Sequence, residues 1–161
     1  MEIIEYEDKY IDDVKDLLTE LEEYIVSIDK DKLDCVHPEY HEKMALMDLN
    51  EIKENDGKCF LAICDGKVVG LIMGYISQYN EFDYLDYKCP KRGEISELIV
   101  TNKIRGKGVG QLLRDKMEEY FKIIDCKYVI VDVFAYNENA IKFYAKGGYH
   151  PRMYTNIKKL K

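Results

Sequence analysis

Three glycines at alternate positions, Gly106, Gly108 and Gly110, lie between an apolar run and a segment with helical spacing. The apolar run, residues 95–100, predicts a strand, and the residues after the glycines predict an amphipathic helix. Glycine allows positive φ and lets the backbone approach a ligand closely. A helix start presents unpaired N–H groups and the positive end of the helix dipole. A strand, a flexible turn and a helix in this order therefore predict a phosphate site.

The residues around these glycines narrow the kind of ligand. Arg105 and Lys107 add positive charge to a chain with 24 basic and 31 acidic residues, a formal net charge of −7. A P-loop needs G-x-x-x-x-G-K-[ST], which is absent, and a dinucleotide fingerprint needs a third glycine where Gln111 stands. The turn thus predicts an anionic ligand of another class, and a strand–helix turn without any ligand is the alternative.

Composition excludes several classes of function. Hydrophobic residues make up 47% and charged residues 34% of the chain, which predicts a globular fold, and the length of 161 residues predicts one domain over residues 1–161. The cysteine pattern suits a cytoplasmic protein with reduced thiols. The negative net charge disfavours nucleic acid and membrane partners, and no apolar run approaches the roughly 20 residues that span a bilayer. Five cysteines without a C-x-x-C pair predict no disulfide framework, and the surroundings of His37 and His41 predict no metal site.

Hydrophobic spacing along the chain predicts a mixed α/β domain around one sheet, with the element order β-α-α-β-β-β-α-β-α-β. Asp65-Gly66 between two apolar runs predicts a hairpin. Residues 79–92 predict a loop that faces the substrate, because loops carry specificity. Residues 128–134 and 153–160 are expected to form the last two strands, with a helix between them.

Two motifs resemble the GNAT superfamily of N-acetyltransferases. Arg105, Gly108 and Gly110 match the acetyl-CoA signature [RQ]-x-x-G-x-[GA] of that family. A second block further along the chain matches N-x-x-A-x-x-F-Y-x-x-x-G with Asn137, Ala140, Phe143, Tyr144 and Gly148. The two motifs cover about residues 94 to 150, and the predicted element order extends the similarity over the whole chain.

The resemblance implies a fold and a set of ligand contacts. The implied fold is a strongly curved mixed sheet, flanked by helices and splayed between strands 4 and 5, with the cosubstrate acetyl-CoA in the gap. The implied cofactor-binding residues are Leu98, Ile99, Val100, Arg105, Gly106, Lys107, Gly108, Val109, Gly110, Asn137 and Asn139. The first three would pair with the pantetheine arm as an added strand does. The amides of residues 105–110 would hold the pyrophosphate, while a helix cap is the equal alternative for Asn137.

Acetyl transfer requires that the acceptor amine lose its proton. For a lysine-like amine, with a pKa of about 10.4, the neutral form costs roughly 4.6 kcal/mol at pH 7, so a nearby base is needed. Glu97 is the expected base because it lies within an apolar run, where a charge without a role is expensive. Glu94 and a water chain are the alternatives. The resemblance implies that Tyr144 protonates or hydrogen-bonds the leaving thiolate, and core packing beside Phe143 is the alternative for its ring.

These residues together predict an enzyme that transfers an acetyl group from acetyl-CoA to a primary amine by direct attack. The acidic net charge favours a small cationic amine as the acceptor, and a peptide amine fits the same chemistry. A catalytically inactive acyl-CoA-binding or sensor module of the same fold is the alternative. Dimers are frequent in the resembling family, so a homodimer is a further expectation.

Overall fold

A computed structural model describes residues 1–160, which form a five-stranded sheet with helices on both faces. The strands are β1 (Glu2–Glu5), β2 (Lys58–Cys64), β3 (Lys67–Ile76), β4 (Arg92–Val100) and β5 (Tyr128–Val131). The helices are α1 (Ile11–Ile28), α2 (Tyr40–Glu54), α3 (Val109–Ile123) and α4 (Glu138–Lys146). The sheet order is β1-β2-β3-β4-β5, with β4 and β5 parallel and the other pairs antiparallel. This mixed sheet confirms the predicted fold class.

Each of the three long helices packs through a stripe of apolar side chains that recur every three or four residues. Val14 and Leu18 are buried in α1, and Leu113, Met117 and Phe121 are buried in α3. Because the side chains of a strand alternate between the two faces of the sheet, two hydrophobic clusters form, one beneath α1 and α2 and one beneath α3 and α4. No helix in residues 1–160 combines the length and the apolar character needed to span a bilayer.

The β2–β3 hairpin turns at Asp65-Gly66, as the sequence predicts. Both residues have positive φ, 50° for Asp65 and 73° for Gly66. A two-residue type I′ turn needs positive φ at both positions, and aspartate followed by glycine tolerates it best. The turn fixes the pairing of β2 with β3, which form the centre of the sheet together with β4.

β4 and β5 are paired at one end and separate at the other. Their parallel register begins with Arg92 opposite Tyr128 and ends with Ile95 opposite Val131. β4 continues to Val100, so the second half of β4 has an edge that β5 does not cover. This is the predicted splay between the fourth and fifth strands.

A β-bulge lies at the point where the two strands separate. Met73 of β3 pairs with Glu97, but the next residue, Gly74, pairs with Ile95, which leaves Ser96 as the extra residue of β4. A bulge bends its strand and increases the local twist, which turns the remainder of β4 away from β5. The extra residue also decides the face on which Glu97 lies, because the alternation of side chains shifts by one position.

The predicted strand over residues 153–160 is wrong. That segment forms no strand in the structure, and four of its large apolar side chains are exposed. Local propensity does not make a strand without a neighbour to pair with, and none of the strands within residues 1–160 pairs with this segment. β5 also ends earlier than predicted, at Val131 rather than Phe134, because the pairing with β4 stops there.

Gly93 of β4 lies against the buried ring of Phe121, which leaves no room for a side chain. A Cβ atom on Gly93 would lie 2.5 Å from two carbons of that ring. We expect Gly93→Ala to lower the free energy of unfolding by about 1–3 kcal/mol, the usual cost of overpacking a core, as measured by urea denaturation. Gly110→Ala is the matched control, since a Cβ atom there meets nothing closer than Phe143 at 3.5 Å. Equal losses in the two variants would contradict this expectation.

Candidate active site

Glu97 is the first residue of β4 beyond the bulge, and its side chain faces α1 and α2. Its carboxyl lies near Glu22 of α1 and near Asp48 and Tyr40 of α2, which interact with it electrostatically. Burial, followed by the charges of Asp48 and Glu22, raises the pKa of Glu97 to about 8. A carboxyl with that pKa exchanges its proton close to neutral pH, which is what a general base requires.

The sequence analysis does not identify Asp48 or Glu22 as site residues, although the position of Asp48 in α2 could have indicated it. Asp48 follows the buried Ala45 by three residues and precedes the buried Ile52 by four, so it lies on the core-facing stripe of α2. Burial, followed by the charge of Glu51, raises the pKa of Asp48 to about 6. Burial is also the main cause that raises the pKa of Glu22. An acid at a core-facing helix position is therefore the pattern that points to this part of the site.

Tyr144 of α4 packs in the cluster beneath α3 and α4, and the charge of Glu97 reaches it. Its buried ring packs edge-on against Phe143 and Tyr149, at centroid distances of 5.1 and 5.2 Å. Burial and then the charge of Glu97 raise the pKa of the Tyr144 hydroxyl well above its usual value, while Arg114 opposes the rise. The structure therefore brings the two predicted catalytic side chains within electrostatic reach of each other.

Glu94, the alternative base, lies on the same face of β4 as Glu97 but in a different setting. It pairs with Tyr75 of β3, and the side chains of Glu94 and Glu51 surround that tyrosine. Burial, followed by the charges of these two acids, raises the pKa of Tyr75 to about 12. Residues three apart in a regular strand face opposite sides, so the bulge is what places both glutamates towards α2.

The glycine turn leads directly into α3, as predicted. Gly106 and Gly108 both have a φ of 80°, and a Cβ atom on either would meet nothing within 4 Å. Gly108 is the N-cap of the 15-residue helix, and no side chain accepts a hydrogen bond there. The first amides of the helix therefore remain available to an anion, with the exposed Lys107 between the two glycines. These residues fit the diphosphate of coenzyme A.

Arg105 and Asn137, both predicted to bind the cosubstrate, are engaged in contacts within the chain. The Nε atom of Arg105 donates to the carbonyl of Val100 at 2.9 Å, and its guanidinium lies 5.4 Å from the ring centroid of Tyr24. The hydroxyl of Tyr24 donates to Oδ1 of Asn137 at 3.4 Å. The same oxygen accepts the N–H of Ala140 at 3.1 Å, so Asn137 is the N-cap of α4. Tyr24 therefore joins the glycine turn to α4.

The other residues that are predicted to bind the cosubstrate differ in how deeply their side chains are buried. Ile99 is buried beneath α1 and α2, whereas Leu98 and Val100 pack on the opposite face of the sheet. Only their main-chain groups are thus placed along the edge that β5 leaves uncovered. Val109 is buried in the first turn of α3, and Asn139 is exposed in the first turn of α4.

The loop over residues 79–92, which the sequence analysis expects to face the substrate, is held together by its own side chains. The hydroxyl of Tyr79 donates to the carbonyl of Pro90 at 2.8 Å, and the guanidinium of Arg92 lies 4.2 Å from the Tyr79 ring centroid. Asp83 accepts the N–H of Asn80 at 2.9 Å. The carboxylate of Asp83 is therefore occupied within the loop, which leads into the Glu94 end of β4.

Comparisons with known proteins agree with this geometry. The model of the Acetyltransferase (GNAT) family matches residues 15–149. An uncharacterised N-acetyltransferase of Methanocaldococcus jannaschii is 35% identical over 96 residues, which are 58% of this chain and 54% of that protein. The chain thus spans about half of the length of this curated relative.

Solved structures share the fold over the full chain. A mutant of a Bacillus halodurans protein superposes with a TM-score of 0.85 at 20% identity and covers 100% of both chains. An aminoglycoside N-acetyltransferase in complex with CoA superposes with a TM-score of 0.70 at 15% identity, over 99% of each chain. At these identities the likeness concerns the fold alone.

The raised pKa of Glu97 links stability to pH. In the unfolded chain the carboxyl has its ordinary pKa of 4.5, whereas in the folded protein the pKa is about 8. Between these values the unfolded state binds fewer protons, so the stability that the protonated carboxyl allows is lost as pH rises from 4.5 to about 8. We expect Glu97→Gln, which keeps the shape and removes the charge, to raise Tm more at pH 8.5 than at pH 5.

Differential scanning calorimetry at both pH values measures this effect. The matched control is Glu54→Gln, which removes the same charge from an exposed position in α2, and we expect it to change Tm little at either pH. An equal change of Tm by Glu97→Gln at the two pH values would contradict the assigned burial of the carboxyl.

Proposed function

This chain belongs to the Acetyltransferase (GNAT) family, and on that basis we propose that it transfers an acetyl group from acetyl-CoA to a primary amine. One observation carries the proposal more than any other. At the point where β4 leaves β5, a carboxyl with a pKa of about 8 lies within electrostatic reach of a buried tyrosine. A base and a hydroxyl donor on either side of a gap in the sheet are what amine acetylation requires. The acids around Glu97 support a small cationic amine as the acceptor.

Acetyl-CoA supplies an activated thioester when it is bound. On this chain, the amides of residues 106–110 at the start of α3 would hold its diphosphate. The uncovered main-chain groups of Leu98, Ile99 and Val100 would pair with its amide-containing arm in the manner of an added strand. The Nε atom of Arg105 already donates to the carbonyl of Val100, so a ligand would use the second lone pair of this oxygen or displace the guanidinium.

Glu97 removes the proton from the acceptor amine. An N–H bond of the ammonium breaks, the proton joins a carboxylate oxygen, and the nitrogen lone pair becomes free to attack the carbonyl carbon. With a pKa of about 8, roughly a tenth of the carboxyl is ionised at pH 7, and that fraction is a stronger base than an ordinary glutamate. The raised pKa therefore lowers the fraction of Glu97 that is ionised near neutral pH, but it makes each ionised carboxylate a stronger base.

Tyr144 stabilises the leaving thiolate mainly by donating a hydrogen bond. Its raised pKa keeps the hydroxyl protonated, but it makes full transfer of the proton to a thiolate, with a pKa of about 8.5, unfavourable. The charge of Glu97 contributes to the rise. When Glu97 takes up the proton of the amine, that charge disappears and Tyr144 becomes a better donor as the C–S bond breaks.

We expect purified protein to release free thiol from acetyl-CoA in the presence of primary amines, with the acetylated amine identified by mass. For the wild type, kcat/KM should rise with pH through about 8, because the ionised carboxylate of Glu97 is the active form. In Glu97→Gln the rate should fall at least tenfold, and this limb of the pH profile should disappear.

Two results would contradict the proposal in different ways. Calorimetric binding of acetyl-CoA without thiol release from any amine would favour a binding or sensor module of the same fold. No binding of acetyl-CoA at all would overturn the assignment of the glycine turn as well.

We expect Tyr144→Phe to lower kcat by about tenfold or more while KM for acetyl-CoA changes little. The substitution removes only the hydroxyl that acts on the leaving sulfur, whose charge develops in the transition state. Steady-state thiol release measures both constants. The matched control is Tyr149→Phe, because Tyr149 packs against the same ring but donates to Glu118. Unchanged turnover in Tyr144→Phe would remove the role assigned to this hydroxyl.

A further inference from the structure

Arg114 of α3 is the only lysine or arginine within residues 1–160 that is buried. It follows the core residue Leu113 in the helix, and the core residue Met117 lies one turn further on. Arginine is almost never buried unless it is paired, because removing a charge from water is expensive. The contacts around this guanidinium must therefore account for its position.

The guanidinium of Arg114 packs against the C-terminal half of α4. Its Cζ atom lies 5.2 Å from the ring centroid of Phe143. A Cβ atom on Gly147, the C-cap of α4, would clash with Nη1 of Arg114 and lie 2.9 Å from Cζ. The same Cβ atom would lie 3.2 Å from the carbonyl oxygen of Tyr144. The guanidinium and the main chain of Tyr144 therefore meet at Gly147, where the dipole of α4 favours a positive charge.

Gly147 leaves space for the guanidinium and is not required by the backbone. Its φ is −80°, which any residue adopts, whereas the positive φ of this turn, 88°, belongs to Gly148. The missing side chain at position 147 is thus explained by Arg114. Neither Gly147 nor Arg114 belongs to the two motifs that carry the family resemblance, so those motifs do not account for this pair.

Two acids of α3 lie beside the guanidinium. Nη2 of Arg114 donates to Oδ1 of Asp115 at 2.7 Å, and Asp115 is half-exposed. The Nε atom lies 3.3 Å from Oε1 of Glu118 but forms no hydrogen bond within the described residues. That oxygen of Glu118 accepts the hydroxyl of Tyr149 at 2.9 Å instead. The acids thus compensate for the burial of the cation without surrounding it.

The positive charge of Arg114 reaches the Tyr144 hydroxyl. Burial and then the charge of Glu97 raise the pKa of that hydroxyl, and the guanidinium opposes the rise. Neither acid of α3 contributes to the pKa of Tyr144. The packing at Gly147 therefore places an effective positive charge beside the proposed donor to the leaving sulfur.

This charge matters most while the thioester breaks. The electron pair of the C–S bond moves to sulfur, and the Tyr144 hydroxyl donates a hydrogen bond to the thiolate that forms. Negative charge develops on the sulfur and, through that hydrogen bond, on the phenol oxygen. A cation that is already fixed in a buried site stabilises such charge without a cost of reorganisation.

From the guanidinium packed at the C-terminal end of α4 we propose that Arg114 is a positioning residue for acetyl transfer, which holds Tyr144 in place and stabilises the charge that develops as its hydroxyl donates to sulfur. This proposal rests on the acetyltransferase function proposed above and on the role given there to Tyr144. Arg114 acts on the reaction through Tyr144 and does not itself have to touch either substrate.

A double-mutant cycle between Arg114→Gln and Tyr144→Phe tests this assignment. Thiol release from acetyl-CoA measures the rates, with the fastest acceptor in a panel of primary amines that includes butylamine, glucosamine and alanylglycine. We expect Arg114→Gln to lower kcat about tenfold, while KM for acetyl-CoA changes less than about twofold. In the Tyr144→Phe protein the same substitution should lower kcat less than about twofold, because the hydroxyl through which Arg114 acts is absent.

A second variant moves the guanidinium but keeps its charge. In Gly147→Ala the new methyl group displaces the guanidinium, so we expect kcat to fall about threefold or more in the wild type and to change little in Tyr144→Phe. This cycle stands even if urea denaturation shows that Arg114→Gln does not fold. The matched control is Lys116→Gln, which removes an exposed cation from the same helix and should leave kcat unchanged.

The outcomes separate this proposal from the one on which it rests. Absence of thiol release with every amine would refute the acetyltransferase function itself. If Arg114→Gln lowers kcat by the same factor in the wild type and in Tyr144→Phe, Arg114 only supports the fold, and the positioning role alone is refuted. An unchanged kcat in Gly147→Ala would refute it as well.

Discussion

One extra residue in β4 determines both where this strand separates from β5 and which way Glu97 faces. Ser96 ends the pairing of β4 with β5 and sets the face on which Glu97 lies. Main-chain groups along the uncovered part of β4 need partners, and the proposed ligand, with its amide groups, would supply them in the way a strand does. The gap proposed for the cosubstrate and the direction of Glu97, the proposed base, are thus two results of a single irregularity in the ladder.

The acids beside Glu97 lower the stability of the fold at the proposed active site. Repulsion among partly buried carboxyls and an Asp48 oxygen without a hydrogen-bond partner among residues 1–160 both disfavour the native state, and the neighbouring apolar cluster beneath α1 and α2 compensates for them. Proteins commonly accept such local instability at functional sites. The same charges that cost stability in the free protein would favour a cationic ligand, so binding is expected to stabilise this region most.

Local patterns were enough to predict most elements of the chain. The hairpin at Asp65-Gly66, the glycine turn into α3 and the long helices follow from spacing and turn chemistry within a few residues. The position of Glu97 beside Tyr40 and Asp48 depends on a bulge, which exists only through the register between β3 and β4. A local sequence pattern does not determine the register between distant strands. The same limit explains why the predicted strand over residues 153–160 is wrong.

α1 connects the two halves of the site. Tyr24 contacts Arg105 and Asn137 on the side of the glycine turn, and Glu22, two residues earlier in the same helix, faces Glu97. A helix moves as a unit, so any displacement of Tyr24 by a ligand in the gap also moves Glu22. Occupancy of the coenzyme side would then alter the acceptor side, and each substrate would change the affinity for the other by the same factor.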